Sequence, residues 1–581
     1  MNEPHAPANV DQEPAIPFWK ALAAFAASVA LMSAAFLPES FGLPVWIALV
    51  PALLAARRLS LKRLFWLSWA AGYAHFLLVL YWLLIVSVPG GLVLPIYLGL
   101  YWPAFFVLTE LLARRLRVPR LVTAVTLWPI LEFVRGTLPT GLPWFYLGHA
   151  LYRWPRLIQA ADLGGVIFVS AVLIAASALL ASGLASPRRA VAAFACAAAL
   201  FAANLSYGAW RFQSLEITPG PTVACVQPNV PQDVKVFPSD RDSTDMFLRL
   251  RKYTLDERAR SADVILWPET IMPGLCGVDD YAVANGMTRT EILDELTLQG
   301  LLDADKRAAV TRLSDAGTGL VDALTQVAGD RIDAHLMTYD LLAATPKIAA
   351  RPLISGAIFG DVDSKGVVKR TFNRAYQFDA SGTEIDRYDK VHLVPFGEFI
   401  PFRDTMPAVS ELISGLMPVQ PAVYPGADFH VFDVGPFKFG PAICFEDTFS
   451  YIARRYRLLG ADVLLNLTND GWFAGSFELD AHLGNAVFRA VETRMAVVRA
   501  ANTGISAVIS PRGVITARLT DDQRRSRQVQ GLLVATVPVS PARTVYVAIG
   551  DLWLTGAAVV LACFSFAAGA FRRKKTAPFC P

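Results

Sequence analysis

The 581 residues are 54% hydrophobic and only 18% charged, against roughly 25% charged in a soluble domain, and mean hydropathy is +0.41. A net charge of +4 on this length leaves no basic footprint for nucleic acid. The composition is that of a membrane protein with a sizeable soluble part, and the length calls for two or more domains.

Residues 1–17 are polar and proline-rich and read as a loose tail. Apolar stretches follow near 18–38, 41–56, 64–88, 92–112, 121–135, 162–184 and 190–208, and a last one lies near 546–570. Each is long enough, or nearly so, to cross a bilayer as a helix of about 20 residues, the second and fifth being short. The loops RRLSLKR (57–63), RRLRVPR (114–120) and SPRR (186–189) are basic, whereas PESFGLP (38–44) and VPGGLVLP (88–95) carry no Lys or Arg. That alternation obeys the positive-inside rule. Seven helices over 18–210 then leave 215–540 on the outer side of the inner membrane. A final helix over 545–571 returns the basic tail 572–581, with RRKK, to the cytoplasm. The first span lacks a basic leader and an obvious cleavage site, so it is expected to stay.

The outer loop Arg135 to Pro155, RGTLPTGLPWFYLGHALYRWP, is aromatic, glycine-rich and basic. It reads either as an interfacial aromatic belt or as a lipid entrance, with Arg135 on a phosphate and Trp144 beside it. Glu132 is placed to neutralise that arginine.

From residue 222 the texture changes to short apolar runs alternating with amphipathic stretches. TVACVQ (222–227), DVILW (263–267), LISGAIF (353–359), RAYQFD (374–379), FKFGPAIC (437–444), DVLLNL (462–467), ISAVIS (505–510) and LLVATVPV (532–539) read as strands. Helical patterns lie near 243–260, 446–459 and 481–499, and Gly460 is a C-cap glycine. Mixed strands and helices over this length predict an α/β sandwich. DASGTE (379–384) is a hairpin turn. Residues 277–350 are helical and strand-poor and read as an insertion.

Three short stretches carry chemistry. In DVILWPETIMP (263–273), Pro268 stops a strand and leaves Glu269 just past its end, where α/β sheets build sites. YDKVHLVPFGEFIPF (388–402) sets Lys390, His392 and Glu398 among aromatic and apolar residues. GPAICFEDTF (440–449) puts Cys444 at a strand end, with Phe445 and Glu446 after it. Alone, each has an ordinary structural explanation: a surface acid, a solvated lysine, a buried small hydrophobe. Together they suffice for acyl transfer through a thioester. A helix start and a nearby cation lower a thiol's pKa, a carboxylate takes its proton, and a lysine holds the oxyanion. The histidines show no close pair at ligand spacing and the cysteines no disulfide framework or C-x-x-C pair, so no metal and no cofactor is called for.

WPE, YDKVHLVPFGEFIPF, ICFED, NLTNDGWF (466–473), VQPNVPQ (226–232), RGTLPTGLPW and RAVETRMAVVRAANTG (489–504) resemble the apolipoprotein N-acyltransferase family, a membrane branch of the nitrilase (carbon–nitrogen hydrolase) superfamily. The resemblance covers most of the chain. It implies a multi-pass helical membrane domain carrying an extracytoplasmic α-β-β-α sandwich. It also implies transfer of an acyl chain from a phospholipid, typically phosphatidylethanolamine, to the N-terminal amine of a diacylglyceryl-cysteine apolipoprotein, the last step of bacterial lipoprotein maturation. Carried over, Cys444 is the nucleophile, Glu269 the base, Lys390 the oxyanion stabiliser, and Glu398 and Glu446 supporting acids. Phe445 falls where the family often has tyrosine. Val236 and Phe237 stand where it often has a tryptophan, leaving Phe237 as an apolar lid beside Trp472 and Phe473. The 121 positions from Glu269 to Lys390 exceed the family pattern, the surplus being 277–350. Cys444 is expected to stay reduced, paired with neither Cys225 nor Cys276.

Three other readings compete, one of them a degenerate scaffold, against which the retained triad argues. A membrane-anchored amidase with the same triad would need only a single anchor. A transporter or receptor with an outer ligand-binding domain would show intramembrane charges along a pathway, and these are few, chiefly Glu110 and Glu132.

Overall fold

The chain divides into two units of different composition. The computed structural model describes residues 15–37, 42–236, 240–271, 275–276, 304–315, 338–362, 368–401, 405, 411 and 423–576. Met1–Ser214 with Ala548–Pro581 form one unit, and Leu215–Val547 the other.

The first unit is helical. Five helices in the described residues are long and apolar enough to cross a membrane: Phe18–Ala35, Val88–Leu116, Ala161–Ala185, Pro187–Ser214 and Val545–Ser565. The other expected spans fall short of that standard for visible reasons. The second is split into a 3-10 turn, Leu43–Trp46, and a short helix, Val50–Ala56. The third, Leu61–Val79, opens on Lys62 and Arg63, and the fifth, Arg120–Thr137, carries Arg120, Glu132 and Arg135. The intramembrane acids are engaged. Glu110 pairs with Arg114 at 3.0 Å and Arg120 at 2.7 Å. Glu132 accepts from Trp128 Nε1 at 2.9 Å and the Leu147 amide at 2.8 Å.

Arg135, expected as a phosphate contact, is buried. It donates to the carbonyls of Leu142, Trp144 and Phe145 and stacks on Phe76 and Tyr146. Its donors serve its own loop. Trp144 is likewise buried, packed on Trp82 and Phe145.

The second unit stacks two sheets between helices. The first contains β1 (Thr218–Gln227), β2 (Val264–Leu266), β3 (Leu275–Cys276), β4 (Leu353–Val362), β5 (Val368–Phe378), β6 (Glu384–Asp389) and β13 (Gly531–Val539). Its order is β13-β1-β2-β4-β5-β6, with β3 also on β4. The second contains β7 (Phe432–Val434), β8 (Phe437–Ile443), β9 (Val463–Thr468), β10 (Ala496–Ala501), β11 (Ala507–Ile509) and β12 (Ile515–Arg518), in the order β12-β11-β10-β9-β8-β7. β1 pairs in parallel with β2 and β2 with β4; β8, β9 and β10 are mutually parallel. Parallel strands covered on both faces need unbroken apolar runs, and β9 and β10 are buried at every position.

Helix Asp240–Thr254 covers the first sheet with Met246 and Leu250, which join Ile265, Trp267, Leu353 and Tyr376 in one core. Two helices of the expected insertion, Ala304–Asp315 and Thr338–Ala349, supply Val310 and Leu342 to that same core. Their exclusion of water contributes about 1.5–3 kcal/mol per large side chain.

The structure corrects some boundaries. The helix expected over 481–499 is Glu478–Thr493, ended by Arg494 at φ 56, and β10 follows. A fully buried strand does not alternate, so AVVRAA looks like more of the preceding helix. The pattern over 446–459 is a 3-10 turn, Cys444–Thr448, then a helix, Ser450–Leu458. Gly460 at φ 95 caps it as expected. The turn at DASGTE joins β5 and β6, with Asp379 accepting from Ser381 and Thr383. The short strands β3, β6, β7 and β12 escaped the sequence.

Candidate active site

The site lies where strands of both sheets end. β8 stops at Ile443, and Cys444 turns out of it at φ 51, left-handed for a non-glycine residue. Such a backbone costs on the order of 1–3 kcal/mol and persists only where neighbours enforce it. Glu446 is the enforcer. Its Oε1 accepts from Tyr388 Oη and the amides of Val391 and His392 at 2.7–2.9 Å, and its Oε2 accepts from the Ile443 amide at 2.7 Å. Asn466 Nδ2 holds the Cys444 carbonyl at 2.9 Å. Burial still pushes the Glu446 carboxyl up to about 7, against those hydrogen bonds and Lys390.

Glu269 follows Pro268 at the end of β2. Gly356 of β4 lets it come so close: a Cβ there would sit 2.7 Å from the Glu269 Cα. Glu269 is 6% exposed, and its carboxylate is held at both oxygens. Asn373 Nδ2 donates to Oε1 at 2.8 Å, and the Asn469 amide donates to Oε2 at 2.9 Å.

Lys390 follows β6 and is only 1% exposed. Its amide donates to the Asn373 carbonyl at 2.8 Å. Its Nζ lies 2.9 Å from Glu398 Oε1 and 3.5 Å from Glu269 Oε1. Burial works against its charge, but Glu398, Glu269 and Cys444 together raise its pKa above the ordinary lysine value. Glu398 is fixed by the Val394 amide at 2.7 Å and by Asn373 Nδ2 at 3.0 Å.

Cys444 is half-buried, and its thiol feels Glu269, Lys390 and Asp470. Burial first, then Glu269, pushes its pKa well above the ordinary thiol value, with Lys390 opposing. This corrects the expectation of a lowered pKa: desolvation outweighs the cation. The resting group is a thiol that needs a base. Cys225, in the interior of β1, is pushed up to about 12 by burial alone and is inert.

Lys390 thus touches both Glu269 and Glu398, and the Cys444 thiol lies in the field of Glu269 and Lys390. Phe445 is half-buried against Phe449, ring centroids 5.0 Å apart, and Trp472 and Phe473 are half-buried on the turn Asp470–Phe473. Phe237 lies outside the described residues.

Several groups escaped the sequence. Asn373 and Asn469 are neutral amides with no spacing rule to betray them. Beneath the elbow lies a charge network. His482 places Nε2 2.7 Å from Asp447 and Nδ1 3.0 Å from Asp470, so both nitrogens donate and the ring is an imidazolium. Burial opposes that charge, but the two carboxylates raise its pKa to about 10. Arg499 pairs with the same two aspartates. Glu478, deep in the cluster, is pushed well above the ordinary carboxylate value by burial and by Asp470. Asp470, Glu478 and His482 are close enough to share a metal ion, but both ring nitrogens are engaged and the Arg499 guanidinium already supplies the cation. The donor set does not fit a metal.

Two family descriptions match the chain: Apolipoprotein N-acyltransferase N-terminal domain over 28–179, and Carbon-nitrogen hydrolase over 222–545. The apolipoprotein N-acyltransferase of Geobacter metallireducens is 29% identical over 578 residues, covering 94% of this chain and 95% of its own. That of Allorhizobium ampelinum is 30% identical over 479 residues, covering 79% and 78%. Among solved structures, an amidase from Nesterenkonia sp. is similar at 14% identity and a TM-score of 0.32, over 56% of this chain and 93% of its own.

Proposed function

The chain belongs to the apolipoprotein N-acyltransferase family, and from that membership we propose how its site performs the transfer. It is an acyltransferase of lipoprotein maturation and a membrane protein. The donor is a phospholipid, phosphatidylethanolamine by preference, and the acceptor is the free amine of a diacylglyceryl-cysteine apolipoprotein. Cys444 is the nucleophile, Glu269 the base and Lys390 the oxyanion donor. The observation that carries this is the Nζ of Lys390 lying 3.5 Å from Glu269 and 2.9 Å from Glu398, with the Cys444 thiol in the field of Glu269 and Lys390.

Glu269 takes the thiol proton as sulfur attacks the ester carbonyl. Negative charge develops on the carbonyl oxygen, and a Lys390 N–H donates to it. The C–O bond breaks, Glu269 returns the proton to the leaving alkoxide, and lysophospholipid departs from a Cys444 thioester. The acceptor amine then attacks the thioester, Glu269 takes its proton, the C–S bond breaks, and the proton returns to sulfur. Asn373 and Asn469 supply no proton; they aim the carboxylate.

Both substrates carry chains that leave a bilayer at a cost of about 0.8 kcal/mol per CH₂. Eight spans of the inner membrane, with the catalytic unit on the outer side and the C-terminus cytoplasmic, let the site meet both laterally. The basic loops support that orientation. The test follows a labelled chain from phosphatidylethanolamine to a diacylglyceryl-cysteine peptide, using the full-length protein. Transfer that stops in Cys444→Ala supports the reading; transfer that continues there refutes it.

A further inference from the structure

A second lysine reaches the site from an element that the chemistry above does not use. Helix Gln232–Val236 is a single short turn. Lys235 Nζ leaves it to donate to the Glu269 carbonyl at 3.0 Å and to Thr270 Oγ1 at 2.6 Å. Thr270 stands at φ 41, a left-handed backbone that a β-branched residue rarely adopts. One turn earlier, Gln232 Oε1 accepts from Asn469 Nδ2 at 2.8 Å, and the Asn469 amide holds the Glu269 carboxylate. The short helix is therefore tied to both segments that aim the base.

Charge gives Lys235 a second task. Lys390 already faces two carboxylates, Glu398 and Glu269. When Glu269 takes the thiol proton, the Cys444 thiolate replaces it as the second anion, and Lys390 alone would leave the set negative. Lys235 is the second ammonium, and the charged or titrating groups facing it are Glu269, Cys444 and Lys390. Two carboxylates, Glu269 and Glu398, then face two ammonium groups, Lys390 and Lys235, and passing the thiol proton to Glu269 leaves that balance unchanged.

We infer that Lys235 is a positioning residue for Glu269, clamping the strained turn at Thr270, and the second positive charge that makes the Cys444 thiolate accessible. This rests on Cys444 and Glu269 being the reacting pair. Burial, opposed by Glu269 and Cys444, pushes the Lys235 ammonium down to about 8, so it is charged at neutral pH and loses its charge soon above.

The test reads thiolate formation apart from acyl transfer. The full-length protein is treated with iodoacetamide, and the rate at Cys444 is followed by peptide mass across pH, in wild type, Lys235→Gln and Lys235→Arg. Alkylation near pH 7.5 is expected to fall about 10-fold in Lys235→Gln, the effect of one pKa unit on a thiol. Lys235→Arg, which keeps the charge, recovers most of it. Unchanged alkylation in a folded Lys235→Gln overturns the inference.

Should Lys235→Gln unfold, wild type and Lys235→Arg are compared from about pH 7 to about pH 10. Their curves diverge above pH 8, where only arginine stays charged, and coincident curves overturn the inference. Transfer of a labelled acyl chain is measured on the same samples. Altered alkylation with no acyl adduct on wild-type Cys444 upholds Lys235 and removes the proposed chemistry. An adduct with unaltered alkylation does the reverse.

Discussion

The amide of Asn469 donates to Oε2 of Glu269 at 2.9 Å, across 200 positions of sequence. Asn469 follows β9 of the second sheet, and Glu269 follows β2 of the first. One hydrogen bond thus joins the ends of the two sheets at the carboxylate proposed as the base. The base is aimed by backbone, which a side-chain substitution at position 469 cannot remove.

Glu269→Gln tests the base in that setting. The amide keeps the size of the carboxylate but cannot take a proton from sulfur. Acylation of Cys444 in a single turnover is expected to slow by about 10²–10⁴-fold, the usual worth of a positioned general base. Unfolding temperature should also fall, because the amide turns an NH₂ toward the Asn373 or Asn469 donor and leaves Lys390 with one carboxylate fewer. A rate within a few-fold of wild type would remove Glu269 from the mechanism.

Lys390→Met removes the oxyanion donor and leaves Glu398 and Glu269 facing each other. Turnover is expected to fall by about 10²–10³-fold. Stability should fall as well, by about 3–5 kcal/mol, because breaking a buried pair strands its partner. Lys390→Arg is not a repair, since a fork does not fit the place of a point charge. Rates and melting curves of both variants check this.

Glu446→Gln tests the elbow. Four donors converge on the Glu446 carboxylate, and an amide must turn an NH₂ group toward some of them. Turnover should slow while Cys444 can still be labelled by a thiol reagent. Cys225, buried in its strand, should remain unlabelled until the protein unfolds. Equal labelling of the two cysteines in the native protein would contradict the assignment of one as reactive and one as inert.

His482 makes stability depend on pH. Its folded pKa of about 10 lies above the free value of 6.5, so the folded state binds the extra proton. The stabilisation is complete below pH 6.5 and is lost as pH rises through about 10. Melting temperature should therefore drop from neutral to alkaline pH. His482→Asn should flatten that drop and lower stability at neutral pH by about 3–5 kcal/mol. A variant that keeps the wild-type slope would show that other groups carry it.

The parts of the site legible in the sequence were those whose chemistry is unusual where they stand. Glu269 follows a strand-stopping proline, Lys390 sits in an aromatic loop, and Cys444 precedes an acidic pair. Asn373 was illegible because one amide in an alternating strand looks like any other. Lys235 lay three residues after the noted VQPNVPQ, but its role depends on Thr270, 35 positions away. The cluster of Asp447, Asp470, His482 and Arg499 comes from four separate elements, which only the packing of β9 and β10 beneath the elbow brings together. β10 itself hid because its burial on both faces erased the alternation that reveals half-buried strands.

The central claim is that an acyl group rests on the Cys444 sulfur between donor and acceptor. The most direct measurement incubates the full-length protein with phosphatidylethanolamine alone, quenches in acid, and weighs the peptide containing Cys444. The account predicts a fatty-acyl increment that hydroxylamine removes and that disappears when a diacylglyceryl-cysteine peptide is added. An unmodified Cys444 peptide in a preparation that goes on to acylate the acceptor would contradict it.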